Sequence, residues 1–147
     1  MKDDIQPHIS MIIKHISNHI STELNNNLKP YNITGVQVRV LFYINYESKK
    51  GHVFQKDIQK HLKLANPTVT GIVQRLEEKQ LIERSVSSED SRYKCHVLTD
   101  KGREVIKNLA HFAENTMEER ILYGFSEDEK ETVTSLLGRI LKNLESI

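Results

Sequence analysis

Across 147 residues the sequence has one cysteine, no tryptophan and three prolines, and aromatic residues make up only 6% of it. A single thiol excludes an intramolecular disulfide, and without Cys pairs no zinc ribbon can form. No apolar run approaches the roughly 18 residues of a membrane span. The amino-terminal Met-Lys-Asp-Asp lacks the apolar core of a signal peptide, so the chain is expected in the cytoplasm with no membrane partner. A phosphate-cradling Gly-rich loop, a nucleophile elbow and a zinc-protease motif are all missing, so neither enzymatic activity nor a cofactor is expected. A large excess of one charge is missing too, the formal net being +1. Dividing the chain changes that picture. Ser48 to Lys107 holds 13 Lys and Arg against 8 Asp and Glu, a net +5, while the rest holds 8 against 12, a net −4. A basic middle on an acidic frame suits a nucleic-acid-facing module.

What is present is a soluble composition, 37% hydrophobic and 28% charged, at a length suited to one domain with its own core. Its most informative stretch runs from Asp57 to Gly102 and reads as helix, tight turn, helix and two-stranded hairpin. That order is a winged helix-turn-helix, so the expected fold class is mainly α with a small antiparallel β-wing. In the second helix, Asn66 is expected as N-cap and Pro67 as the first helical residue. Val69, Ile72, Val73 and Leu76 then share one apolar stripe, while Pro67, Thr70, Gly71, Gln74 and Glu78 point away, with Thr68 and Arg75 on the flank. Such a polar face can approach base edges in a major groove: Thr and Gln hydrogen-bond bases or phosphates, and Arg75 reaches phosphate or guanine. Gly71, costly in an exposed helix by about 1 kcal/mol relative to Ala, is read as a clearance position for close backbone approach. The bland alternative is an ordinary surface helix.

The hairpin follows. Leu81-Ile82 and Tyr93 to Leu98 are β-prone runs around a polar turn, with Asp90 and Arg92 near the tip. Arg92 suits the negative potential of a narrow minor groove, and Asp90 is placed to orient it or the neighbouring Arg84. His52-Val53-Phe54 is expected as a short strand against this wing, and Gln55 to Leu62 as the first helix of the pair, with Ile58 and Leu62 inward. Lys56, Lys60 and Lys63 can reach phosphate, which positions without reading sequence.

Helices flank this module. Asp4 to Leu28 spaces its isoleucines and leucines at three and four, and its His15 and His19 stand at i, i+4. That spacing could hold a metal, but no carboxylate or cysteine completes a set, so no metal is expected. Thr34 with Gln37 is a capping box opening a second, strongly apolar helix with Val36, Val40, Leu41 and Ile44. Arg39 is its outlying charge, read as a surface residue or as an anchor for an anionic effector. From Thr99 a helical stripe runs through Val105, Leu109, Phe112 and Met117 to Leu122, and Ser126 with Glu129 caps a last helix with Val133, Leu137, Ile140 and Leu144.

Together Asp57-Ile58, Leu62, Pro67-Thr68-Val69-Thr70, Leu76-Glu77-Glu78-Lys79, Leu81-Ile82-Glu83-Arg84, Asp90-Ser91-Arg92 and Leu98-Thr99-Asp100-Lys101-Gly102 resemble the MarR family of bacterial transcription regulators, over nearly the whole chain. Gln80 departs from the pattern, since many members carry Gly there, and it must adopt a left-handed conformation or end the helix differently. The resemblance implies residues 34–103 as the DNA-binding lobe and residues 1–33 and 104–147 as dimerisation helices. It implies a homodimer on an inverted-repeat operator in double-stranded DNA, most simply a repressor released by a small anionic or aromatic effector. Candidate pocket residues are His15, His19, Arg39, Tyr43 and Phe112. Some relatives sense oxidants through a first-helix cysteine, which this chain lacks; Cys95, on the return strand, is read as structural or, alternatively, as a reactive thiol. The competing reading is a winged-helix module that binds protein rather than DNA.

Overall fold

A computed structural model describes residues 7–86 and 94–147. The chain divides into two compact units, Met1–Ala110 and His111–Ile147. In order the first contains α1 (Ile9–Leu28), a 3-10 turn (Lys29–Tyr31), α2 (Gly35–Glu47), α3 (Gln55–Leu62), α4 (Asn66–Glu78), β1 (Ile82–Val86), β2 (Lys94–Leu98) and most of α5 (Asp100–His111). The second holds a π-helical turn (Phe112–Met117), α6 (Glu118–Ile121) and α7 (Glu127–Glu145). Helix α1 begins after Pro7, later than the expected Asp4, with the extended His8 as its N-cap. Of its histidines, His15 and His19 are both exposed.

Helix α2 starts where the sequence predicted. The Thr34 hydroxyl accepts from the Gln37 amide at 3.3 Å and the Gln37 side chain accepts from the Thr34 amide at 3.1 Å, which satisfies two orphan donors reciprocally. Its inner face, Val40, Leu41 and Ile44, is fully buried against Ile58 of α3, Val69, Val73 and Leu76 of α4, and Val105 and Ile106 of α5 in one apolar cluster. Opening α3, Asp57 accepts from the Phe54 amide at 2.9 Å. Its far end turns on Lys63, left-handed at φ 53°, which swings the chain into α4.

The wing is a two-stranded antiparallel sheet with Ile82 opposite Leu98 and Arg84 opposite His96. The expected strand at His52–Phe54 is a single bridge, Phe54 to Cys95, reinforced by the His96 amide donating to the Val53 carbonyl at 2.8 Å. Among the described residues, no helix is long and apolar enough to cross a membrane.

Candidate nucleic-acid interface

Helix α4 presents two unlike faces. Val69, Ile72, Val73 and Leu76 are buried, and Pro67, Thr68, Thr70, Gln74 and Arg75 are exposed, because a period of 3.6 residues puts them on opposite sides. Gly71 is half-buried, yet a Cβ built there would meet nothing within 4 Å. Nothing among the described residues therefore requires glycine at that position.

The start of α4 differs from expectation. Asn66 is not the N-cap; Ala65 takes that place, extended at ψ 151°, and Asn66 is the first helical residue with Pro67 second. The Asn66 side chain is engaged elsewhere. The Gln55 amide donates to Asn66 Oδ1 and to Thr70 Oγ1, both at 2.7 Å, and the Gln59 amide also donates to Asn66 Oδ1. Thr70 in turn donates its hydroxyl proton to the Asn66 carbonyl at 3.0 Å. Thr70 has thus used its only donor internally and keeps at most acceptor capacity for an outside partner. Two glutamines one turn apart on α3, facing Asn66 and Thr70 one turn apart on α4, form a polar clamp across the turn. The sequence had shown Thr70 only as outward-facing and Asn66 only as a cap.

The other end of α4 is closed as tightly. Gln80 is left-handed at φ 59°, the first of the two outcomes that its departure from the family pattern left open. The Leu81 amide donates to the Leu76 carbonyl at 3.0 Å and the Gln80 amide to the Glu77 carbonyl at 2.8 Å, the paired bonds of a Schellman cap. Thr99 donates to the Gln80 carbonyl at 2.6 Å and accepts from the Gly102 amide at 3.0 Å, while Lys101 Nζ donates to the Lys79 carbonyl at 3.1 Å. Gly102 lies so close that an added Cβ would stand 2.1 Å from the Leu81 carbonyl oxygen. The Leu-Thr-Asp-Lys-Gly run is therefore a clasp that binds the end of α4, the root of the wing and the start of α5. Lys79 completes it from the other side, donating to the Asn32 carbonyl and approaching Gln37 Oε1 at 3.4 Å.

At the wing root, Arg84 is held by Glu77 of α4. The Asp90 once considered for it, with the whole tip including Arg92, lies outside the described residues. His96 sits opposite Arg84, 3% exposed, with Nδ1 4.0 Å from the same Glu77 oxygen and no hydrogen-bond partner among the described residues. Burial pushes its pKa below the ordinary value, Glu77 pulls it back up, and the Arg84 cation pushes it further down. The Cys95 thiol is buried and donates to the Ser85 carbonyl at 3.3 Å. On α3, Lys56 and Lys60 are exposed, with the Lys56 ammonium 5.7 Å from the Phe54 ring centre.

Of the five residues considered for an effector pocket, Arg39 and Tyr43 come together in an open cleft between α2 and α3. His15 and His19 are not among its walls, and Phe112 belongs to the second unit. Phe42, Tyr46, Glu47 and His61 join the cleft instead. His61 carried no sequence signal, because its neighbour Tyr43 is remote in the chain.

A model of the MarR family matches residues 31–92. The uncharacterized HTH-type transcriptional regulator YwoH of Bacillus subtilis is 28% identical over 138 residues, covering 94% of this chain and 97% of its own length. YybA of the same organism, also described as an uncharacterized HTH-type transcriptional regulator, is 28% identical over 143 residues, 97% of this chain and 90% of its own. Among solved structures, a MepR mutant of S. aureus superposes with a TM-score of 0.86 at 28% identity, over 94% of this chain and 99% of that one. MepR in complex with DNA superposes at 0.80 with 29% identity, over 92% and 98%, and MepR bound to ethidium bromide at 0.73 with 28%, over 95% and 98%.

Proposed function

We propose that this chain, which is similar to DNA-binding transcriptional regulators of the MarR family, is a homodimeric, effector-responsive repressor reading an inverted repeat through α4. The observation that carries this reading is the two-sided α4 itself: a buried back that fixes its position and an exposed face of Pro67, Thr68, Thr70, Gln74 and Arg75, clamped at one end by Gln55 and Gln59. From Asn66 to Leu76 the helix carries no acidic residue, which favours nucleic acid over a protein partner. Gln74 and Arg75 are assigned to base edges, with Thr68 beside them, and Lys56, Lys60 and Arg84 to phosphates. Arg92, outside the described residues, is assigned to the minor groove, and Gly71 to close approach of the helix backbone.

Residues 1–33 and 104–147 are assigned to dimerisation. Support comes from stripes left open along both terminal helices, Ile9 at 66% and Leu141 at 58% exposure among them. A twofold pair of lobes would set two α4 helices about one DNA turn apart. For effector release, a small molecule must bind the competent and incompetent arrangements unequally; the structures of MepR with DNA and with ethidium bromide support this reading.

The test is selection of bound duplexes from a random pool, followed by two variants on the recovered site. Gln74→Ala should weaken binding by about 1–3 kcal/mol and relax preference at one base pair. Lys60→Ala should weaken every duplex alike and lower the salt slope by about one. Equal, sequence-blind losses from both would remove base reading from α4.

A further inference from the structure

We propose, resting on the DNA-reading role given to α4 above, that Gln55 and Gln59 of α3 are positioning residues that set base preference without touching a base. They do so by fixing which hydrogen-bonding ends of Asn66 and Thr70 remain for DNA.

The polarity of the cluster follows from its one backbone member. The Asn66 carbonyl can only accept, so the Thr70 hydroxyl 3.0 Å from it is the donor. With its proton engaged there, Thr70 Oγ1 must accept from Gln55 at 2.7 Å, which turns the Gln55 amide nitrogen toward α4. The same nitrogen stands 2.7 Å from the Asn66 side chain, which therefore presents its oxygen. Gln59 meets that oxygen with its own amide nitrogen. Both lone pairs of Asn66 Oδ1 are then filled. Among the described residues nothing accepts from Asn66 Nδ2, so its two N–H groups are left over. Thr70 keeps one lone pair and no proton.

Asn66 and Thr70 are both exposed and stand at i and i+4, on one side of α4. An unengaged asparagine suits adenine, donating to N7 while accepting from the N6 amine. Asn66 cannot do this, because its acceptor is occupied twice. It offers two hydrogens and no oxygen, the complement of guanine, whose N7 and O6 both accept. Thr70 is restricted in the opposite sense. It can accept from adenine N6 or cytosine N4 but has no proton for guanine or for a phosphate. The two glutamines thus convert side chains that could each donate or accept into one donor and one acceptor at fixed places.

The test takes the full-length protein and the duplex selected as above, with each of the four base pairs placed in turn at every position of one half-site. At one position the wild type should favour guanine over adenine about tenfold, and Asn66→Ala should abolish that preference. Gln55→Met combined with Gln59→Met keeps side-chain length and removes both donors, which releases Asn66 Oδ1. Adenine should then equal or exceed guanine at that position alone. Uniformly weaker binding with the preference unchanged would make the glutamines merely structural and overturns the proposal, as does a wild type that favours adenine there or shows no preference dependent on Asn66. Should the double variant fail to fold, Gln59→Met alone frees one lone pair and should narrow the guanine margin; an unchanged margin overturns the proposal equally. In the DNA-free protein, side-chain amide exchange followed by NMR should be slower at Gln55 than at Asn66, and the reverse order overturns the polarity. A chain with these exchange rates that binds no duplex even in dilute salt has the clamp but refutes the DNA reading above, and the base preference with it.

Discussion

Helices α4 and α7 carry the same apolar period and meet opposite fates. In α4, Val69 and Val73 are 0% exposed and Ile72 8%; in α7, Leu136, Leu137, Leu141 and Leu144 remain 48%, 49%, 58% and 63% exposed. Periodicity says which side of a helix is apolar and nothing about what covers it. For α4 the cover comes from α2, α3 and α5 of its own unit. For α7 no residue is buried, and the proposed dimerisation would supply the missing cover. The two helices also start differently. Ser126 accepts from the Glu129 amide at 3.2 Å and the Glu129 carboxylate from the Ser126 amide at 2.8 Å, so α7 is capped by its own residues, whereas the capping-type side chain at the head of α4 is spent on α3.

This contrast can be broken by substitution. The largest effect is expected from Ile58→Ala, which opens a void in the buried cluster and should cost about 2–5 kcal/mol in urea denaturation. Leu141→Ala should cost under about 0.5 kcal/mol in protein too dilute to associate, but should lower the melting temperature at concentrations where dimers form. A large loss at high dilution would mean that α7 is covered within one chain.

Next in size come two glycines. Gly102→Ala drives a Cβ into the Leu81 carbonyl at 2.1 Å and should cost about 3 kcal/mol. Gly138→Ala in α7 meets nothing within 4 Å and should gain up to about 1 kcal/mol in the dilute chain. If a second chain packs closely there, the same alanine should weaken association as read by sedimentation. Gly71→Ala separates folding from function in a similar way: also unobstructed, it should stabilise by up to about 1 kcal/mol while reducing DNA affinity, and undiminished affinity would remove the clearance role.

The smallest effect is a pH dependence peculiar to the wing root. His96 has a folded-state pKa below its ordinary 6.5, so the unfolded chain takes up the proton first. Its contribution is present in full above pH 6.5 and is lost as the pH falls from there towards the folded value. Melting temperatures followed from pH 7.5 to 5 should show this decline, and His96→Gln should flatten it. An identical slope in the variant would assign the decline to other groups.

Several features were legible in the residues because they are local. Thr34 with Gln37, Ser126 with Glu129, the stripe of α4 and the left-handed Gln80 each depend on neighbours within about one helical turn. The clasp around Gly102 was legible as a motif but not as a mechanism, since the carbonyl it must clear belongs to Leu81. The features that escaped pair residues of different elements. Asn66 had every property of an N-cap, but Gln55 and Gln59 compete for the same oxygen from another helix. Arg84 had an acidic candidate in Asp90, but Glu77 is brought to it by the turn between α4 and β1. The π-helical turn at Phe112–Met117 had no signal in spacing at all.

By itself the sequence determined the elements, their order and which faces are apolar, because hydrogen bonding to the nearest backbone and burial of a periodic stripe act over a few residues. Only the tertiary structure decided which polar side chains remain available to a partner. A donor or acceptor is used once, and its user is chosen by what packing brings within 3 Å or so, which no window of sequence contains.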